Sequence, residues 1–270
     1  MVKTPTTDDW ENDWSAQAYL NQYYRTPTIP GDERAIFNFF IPYLRSFNTI
    51  FPQALDIGAG PTLHHELALV PFIEEFHIAD YLPQNLAEIQ KWLDDAPGAH
   101  DWDIYSRGIL AIEGQAEVND EAVEARKRLL RQRVTTLKIG NIRDDLPLGE
   151  AITYPLVTAF YVACSVARTK AEWMHYMRNV ATLVAPGGVL IISALRNAEH
   201  YQVGPHKFPS ANIDEHDVQQ LFQALGFDTT ASDVEVATVP EWDNEGFDSI
   251  IVARGRKLTV PKKTIQDTTE

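Results

Sequence analysis

The run Ala54-Leu55-Asp56-Ile57-Gly58-Ala59-Gly60-Pro61-Thr62 constrains this chain more than any other stretch. A largely apolar segment passes directly into two glycines one residue apart. That is how a β-strand hands over to a tight turn and then to a helix N-terminus. Glycine lets the backbone approach a ligand closely, and a helix start presents N–H groups without intrahelical partners. The third glycine of the dinucleotide fingerprint is missing, with His64 or His65 standing about where it would be. The turn therefore suits an adenosine ligand better than a pyrophosphate. About twenty residues on, Phe76-His77-Ile78-Ala79-Asp80 reads as a second strand ending in an acid. A carboxylate there can accept both hydroxyls of a ribose. Glycine turn, absent third glycine and strand-end acid together point to S-adenosylmethionine.

Strand and helix patterns alternate along the rest of the chain. Helices are expected over 15–24 and 33–48, the latter with Ile36, Phe37, Phe40, Leu44 and Phe47 on one face. Strand 53–57 precedes helix 64–71, strand 75–79 and helix 83–94. Residues 96–118 read as irregular. Helix 119–132 leads into strand 133–139, and strand 155–162 into helix 170–184. Strand 188–194 is followed by a loop over 196–213 and a helix over 214–225. Strands 233–239 and 248–254 have no helix between them and are expected to pair antiparallel. The alternation implies a Rossmann-like α/β fold: seven strands, mostly parallel, with helices on both faces and an antiparallel C-terminal hairpin. Residues 1–256 are expected to form a single domain, with 1–50 as an N-terminal helical cap and 257–270 as a polar tail.

Net charge is −15, so phosphate backbones and anionic lipid are repelled and neither nucleic acid nor membrane is expected as a partner. No apolar run approaches bilayer length, and the N-terminus is polar and acidic, unlike a signal peptide. The single cysteine, Cys164, excludes an internal disulfide and a cysteine-based zinc site. A cytoplasmic, monomeric enzyme with a small-molecule substrate is the simplest class. His64, His65 and His77 raise the thought of a metal, but no third-ligand geometry can be read and none is expected. Glu66, Glu74 and Glu75 read as surface charge.

Several motifs, in order and spacing, carry a family resemblance. They are Tyr19-Leu20-x-x-Tyr23-Tyr24, Asp56-Ile57-Gly58-Ala59-Gly60-Pro61-Thr62 and Ala79-Asp80-Tyr81-Leu82-Pro83-Gln84-Asn85. Later come Lys91-Trp92-Leu93, Pro97-Gly98-Ala99-His100-Asp101-Trp102, Glu113-Gly114 and Pro186-Gly187-Gly188. Tyr201, Gly204-x-x-Lys207-Phe208 and Asn244-Glu245-Gly246-Phe247 complete the set. From about Tyr19 to Lys257 the chain resembles the nicotinamide, phenylethanolamine and indolethylamine N-methyltransferases, a group of class I S-adenosylmethionine-dependent methyltransferases.

The resemblance implies site roles. Tyr19, Tyr23 and Tyr24 belong to a lid helix over the methionine end of the cofactor. Gly58 and Gly60 take the methionine moiety, with Asp56, Thr62 and His64 beside them. Asp80 binds the ribose, Tyr81 adjoins it, and Asn85 sits near the same sugar or the carboxylate. Asn141 and Ile142 flank the adenine, and Phe160 closes the pocket. Relatives usually have an aspartate at Asn141; asparagine keeps the acceptor and loses the charge.

The acceptor side departs from the family. Where relatives usually carry two acids, this chain has Cys164 and Ser193. Glu199 is a candidate replacement for the anionic contact, and Tyr201 for the aromatic residue against the acceptor. Asn197, His200, His206 and Ser210 are further substrate-side candidates. Transfer from a sulfonium is an in-line displacement in which the protein supplies position, dryness and proton control. The leading reading is N-methylation of a small amine or N-heterocycle. Transfer to oxygen, sulfur or carbon stays open, as does a cofactor-binding protein without turnover. A nicotinamide dehydrogenase shares the sheet but is disfavoured by the missing third glycine and by Pro186-Gly187-Gly188 before a strand.

Overall fold

A computed structural model describes residue 7 and residues 9–259. The described chain begins with helices α1 (Trp10–Asp13), α2 (Ala16–Tyr23) and α3 (Gly31–Ser46). Strand β1 (Phe51–Ile57) follows, then α4 (His64–Leu69), β2 (Ile73–Asp80), α5 (Pro83–Leu93), α6 (Asp103–Ile112), α7 (Asp120–Arg133) and β3 (Val134–Ile139). Strand β4 (Tyr154–Phe160) leads through α8 (Val162–Val166) and α9 (Lys170–Thr182) to β5 (Val184–Leu195). A hairpin of β6 (His200–Val203) and β7 (His206–Pro209) precedes α10 (Glu215–Ala224). Strands β8 (Phe227–Asp228), β9 (Val234–Thr238) and β10 (Ser249–Lys257) complete it.

One sheet organises these elements in the order β3-β2-β1-β4-β5-β10-β8, with β9 also paired to β10. The first five strands are mutually parallel, and β10 runs antiparallel to β5, β8 and β9. The sheet therefore has eight strands rather than the expected seven, because Phe227–Asp228 adds a short edge. The β9–β10 hairpin is antiparallel, in line with two strands that lack a crossover helix. Several stretches differ from the sequence-based expectation: Val162–Val166 is helical, and β5 starts at Val184 and takes in Pro186-Gly187-Gly188. Residues 103–112 are helical, with Tyr105, Ile109 and Leu110 buried, and the supposed loop 196–213 holds the β6–β7 hairpin. No helix among the described residues is long and apolar enough to cross a membrane.

Burial follows the periodicity. Ile36, Phe37, Phe40 and Leu44 of α3 are each at most 1% exposed, a spacing that puts them on one helix face. Strands β4 and β5 are buried along nearly their whole length, as central strands covered on both faces must be. Glu66 departs from its surface assignment: α4 is sandwiched so tightly that all six of its residues are buried. The expected polar tail begins later than supposed. Lys257 ends β10, and its ammonium donates to the carbonyls of Ala181 and Val184 at 2.7 and 2.8 Å. Residues 260–270 of that tail lie outside the described residues.

Candidate active site

Strand order reverses between β1 and β4, and a cavity opens there at the carboxyl ends of the parallel strands. Such a switch point leaves a crevice because successive crossover helices depart to opposite faces. Gly58 and Gly60 build its floor with φ of +77° and +62°. A Cβ on Gly58 would overlap the side chain of Val162. The N–H groups of Gly58 and Ala59 both donate to the carbonyl of Ala79, tying the turn to β2. The Gly60 N–H donates to Oδ2 of Asp80 at 2.8 Å. Oδ1 of Asp80 accepts from the Leu82 N–H and the Asn85 amide at 2.8 and 2.9 Å. Burial pushes the Asp80 carboxyl up while these donors pull it back down. A carboxylate accepts at about four sites; with three taken, Oδ2 keeps one for a ribose hydroxyl.

Other predicted cofactor residues surround this centre. Asp56, Thr62, Tyr81, Asn141, Ile142 and Phe160 all line the cavity. Asp56 accepts from the Thr158 hydroxyl at 2.5 Å, and its carboxyl is raised by burial. Asn141 is held by its own turn: its side-chain oxygen accepts from the Arg143 N–H at 3.1 Å. His64 is an exception. It is wholly buried behind the wall, and its neighbour His65 faces the cavity instead. The ring of His65 stacks on Phe160 with centroids 3.9 Å apart.

The N-terminal segment closes the top. Tyr19, Tyr23 and Tyr24 line the cavity, as do Trp10 and Trp14. Tyr19 contacts both neighbouring tyrosines, with ring centroids 5.1 and 5.5 Å apart. The Tyr23 hydroxyl donates to the carbonyl of Gln202 in β6 at 2.7 Å, and the Tyr81 hydroxyl donates to Glu11 at 2.6 Å. The N-terminal segment is thus anchored on both sides of the opening.

On the acceptor side the structure brings in Tyr201, which lines the cavity and stacks on Phe208 at 5.6 Å. The other candidates lie elsewhere. Glu199 and Asn197 are exposed, and the Glu199 carbonyl serves the hairpin by accepting from the Ser210 N–H. His200 meets the ammonium of Lys207 at 3.2 Å, and half-buried His206 faces Asp13 at 3.9 Å. Ser193, Ser210 and Cys164 are buried outside the lining. The Cys164 thiol, pushed up to about 11 by burial, accepts from the Leu195 N–H at 3.4 Å.

Two further acids on the cavity wall come from α3, which sequence reasoning passed over. Asp32 and Glu33 are 7% and 2% exposed and line the cavity together with Tyr161, Trp242 and Phe247. Tyr161 adopts a left-handed φ of 58° at the β4–α8 turn, and its hydroxyl donates to Oδ2 of Asp32 at 3.3 Å. Burial and the neighbouring Glu33 push the Asp32 carboxyl up to about 7. A 3₁₀ turn at Pro240–Glu245 caps the helix from far along the chain: Glu241 accepts from the Gly31 N–H at 2.7 Å. The adjacent acids after Pro30-Gly31 were the available signal, but acids in a first helical turn are ordinarily a solvated complement to the helix dipole.

A glycine turn at the switch point, a strand-end carboxylate and an N-terminal segment over the opening define a class I methyltransferase that uses S-adenosylmethionine. The fold agrees: the magnesium protoporphyrin IX methyltransferase of Synechocystis PCC 6803, crystallised with bound SAM, superposes with a TM-score of 0.56 at 10% identity, over 94% of this chain and 98% of that one. The sequence matches the NNMT/PNMT/TEMT family over residues 3–254, and the chain belongs to that family. It is 30% identical to indolethylamine N-methyltransferase of Mus musculus over 226 residues, 81% of this chain and 84% of the relative. Human nicotinamide N-methyltransferase is 26% identical over 265 residues, 94% of this chain and 97% of the relative.

Proposed function

We propose that this enzyme methylates the nitrogen of a small amine or N-heterocycle held against Asp32. The observation that carries this reading is the state of that carboxylate. Oδ2 is engaged by Tyr161 and the Trp242 indole lies beside the carboxyl, while buried Oδ1 has no aligned hydrogen-bond partner. An unpaired buried carboxylate oxygen is costly, and an acceptor N–H supplies what it lacks. Tyr23, Trp242 and Phe247 add aromatic rings to the same wall, which favour a flat or cationic acceptor.

When bound, S-adenosylmethionine supplies the electrophilic methyl group. The protein's part is position and exclusion of water. Asp32 accepts from the acceptor N–H and so turns the nitrogen lone pair along the line of attack. Tyr161 fixes the Asp32 carboxylate, and the tyrosine-rich lid removes competing water. With Cys164 and Ser193 buried outside the lining, Asp32 takes the place of the acids that the family pattern puts there. The reading includes a small-molecule acceptor, with neither nucleic acid nor membrane as partner, in keeping with the net charge of −15. A cytoplasmic monomer belongs to the same reading.

Turnover to S-adenosylhomocysteine, measured across amines, N-heterocycles, phenols and thiols, tests it. Amines or N-heterocycles are expected to be the best acceptors. Highest turnover on a phenol or thiol would reassign the reaction to oxygen or sulfur.

A further inference from the structure

Three buried side chains beside the cavity converge in a way that methyl transfer does not use. We propose that Glu33, His64 and His65 form a binding site for one divalent first-row transition cation of the zinc class. Glu33 comes from the first turn of α3, and the two histidines open α4. Nε2 of His64 lies 3.0 Å from Oε1 of Glu33, and Nε2 of His65 lies 2.8 Å from Oε2. One donor atom from each residue falls within 4.8 Å of the others.

These contacts are short but poorly directed. Nε2 of both histidines and Oε2 of Glu33 are buried without an aligned hydrogen-bond partner. An unpaired buried polar atom is costly. One cation within reach of all three resolves them together. Imidazole nitrogen and carboxylate oxygen are ligands that zinc takes, at about 2.0–2.2 Å. With donors 2.8–3.0 Å apart, such bonds subtend angles of roughly 80–95°, which suits five or six ligands better than a closed tetrahedron. Glu33 and His65 both line the cavity, so the ion's remaining positions face it. The rings are already oriented: His65 lies on Phe160, and His64 on Trp102 with centroids 5.5 Å apart. His77, the third histidine of the sequence pattern, lies elsewhere, with Nδ1 3.0 Å from the Tyr154 hydroxyl.

The competing account is a proton shared between Glu33 and a histidine, with no ion. Full-length protein without an affinity tag, stripped by a chelator, separates the two. It is titrated with Zn²⁺ against a colorimetric chelator, and with Co²⁺ followed by visible absorption. Binding of one zinc per chain with a Kd of about 1 µM or tighter is expected, with a Co²⁺ band that zinc abolishes. Glu33→Gln should weaken zinc by at least about 10-fold and His65→Gln by about 100-fold, while His77→Gln leaves it unchanged. Circular dichroism establishes that each metal-free variant is folded; if Glu33→Gln is not, His64→Gln and His65→Gln carry the test. Less than one equivalent bound at about 100 µM zinc would overturn the proposal. So would affinity that stays within about twofold in the folded variants of Glu33, His64 and His65, since the ion would then sit on other groups.

Discussion

The indole N–H of Trp14 donates to Oδ1 of Asn85 at 2.9 Å, and the Asn85 amide donates in turn to Oδ1 of Asp80 at 2.9 Å. Lid and strand-end acid are therefore one hydrogen-bonded chain, joined through a residue on the first turn of α5.

Asp80→Ala should nearly abolish cofactor binding in a folded protein. A carboxylate that holds both a ribose hydroxyl and the Gly60 turn contributes about 2–4 kcal/mol, or roughly 30- to 1000-fold in affinity. Calorimetric titration with S-adenosylhomocysteine measures it, and an unchanged Kd would remove Asp80 from the site.

Trp14→Phe keeps the ring contact with Tyr19 but removes the N–H donor to Asn85. Cofactor affinity should fall by about 3- to 10-fold, the worth of one hydrogen bond between neutral groups. In the wild type, hydrogen exchange across residues 10–25 should slow when S-adenosylhomocysteine is added, as expected of a lid. Equal exchange in both states would show that this segment is fixed before the ligand arrives.

Two acids can be weighed against each other as acceptor contacts. Asp32→Asn should lower kcat/KM for an amine by about 1.5–3 kcal/mol, or roughly 10- to 150-fold, with little change in cofactor affinity. Glu199→Gln, on an exposed carboxylate outside the cavity, should change it by less than about twofold. The reverse ranking would move the acceptor contact to the β5–β6 loop.

The two glycines of the turn should fail differently when replaced by alanine. At Gly58 both the left-handed φ and the overlap with Val162 oppose a Cβ. Gly58→Ala should cost more than about 2 kcal/mol, lowering Tm by about 5–10 °C. At Gly60 the nearest neighbour of an added Cβ is Tyr19, at 4.0 Å. Gly60→Ala should lose only about 1–2 kcal/mol of stability from its φ while weakening cofactor binding, because the methyl group projects into the cavity. Thermal melts and calorimetry of the pair distinguish the effects; equal Tm values would show that the Val162 contact relaxes freely.

Cys164 is 1% exposed, and its thiol is pushed up to about 11, so it should be inert in the folded enzyme. A thiol reagent at about pH 8 should label it only after unfolding. Cys164→Ser keeps an acceptor for the Leu195 N–H and should retain turnover within about twofold. Rapid labelling of the native protein, or loss of turnover in a folded variant, would return Cys164 to the active site.

Local sequence determined the scaffold and the cofactor end of this protein. Strand-to-glycine chemistry at Ala54–Gly60 and the acid closing β2 set the switch-point turn, because both depend on backbone conformations that neighbouring residues impose. The paired strands without a crossover helix likewise foretold the β9–β10 hairpin. The α6 helix was obscured by Pro97-Gly98 and Glu113-Gly114 at its flanks, and β6 and β7 are too short for two-residue periodicity to register. Tertiary structure alone decided the acidic α3 wall of the cavity. Asp32 and Glu33 look like solvated first-turn acids until the 3₁₀ turn at Pro240–Glu245 and α4 close over them. Glu66 looks like surface charge until α4 is sandwiched. Glu199, by contrast, lies near Tyr201 in sequence yet faces solvent, since the hairpin turns it outward. Burial is a property of what packs across a group from elsewhere in the chain, so the sequence around a carboxylate does not say whether water or protein will surround it.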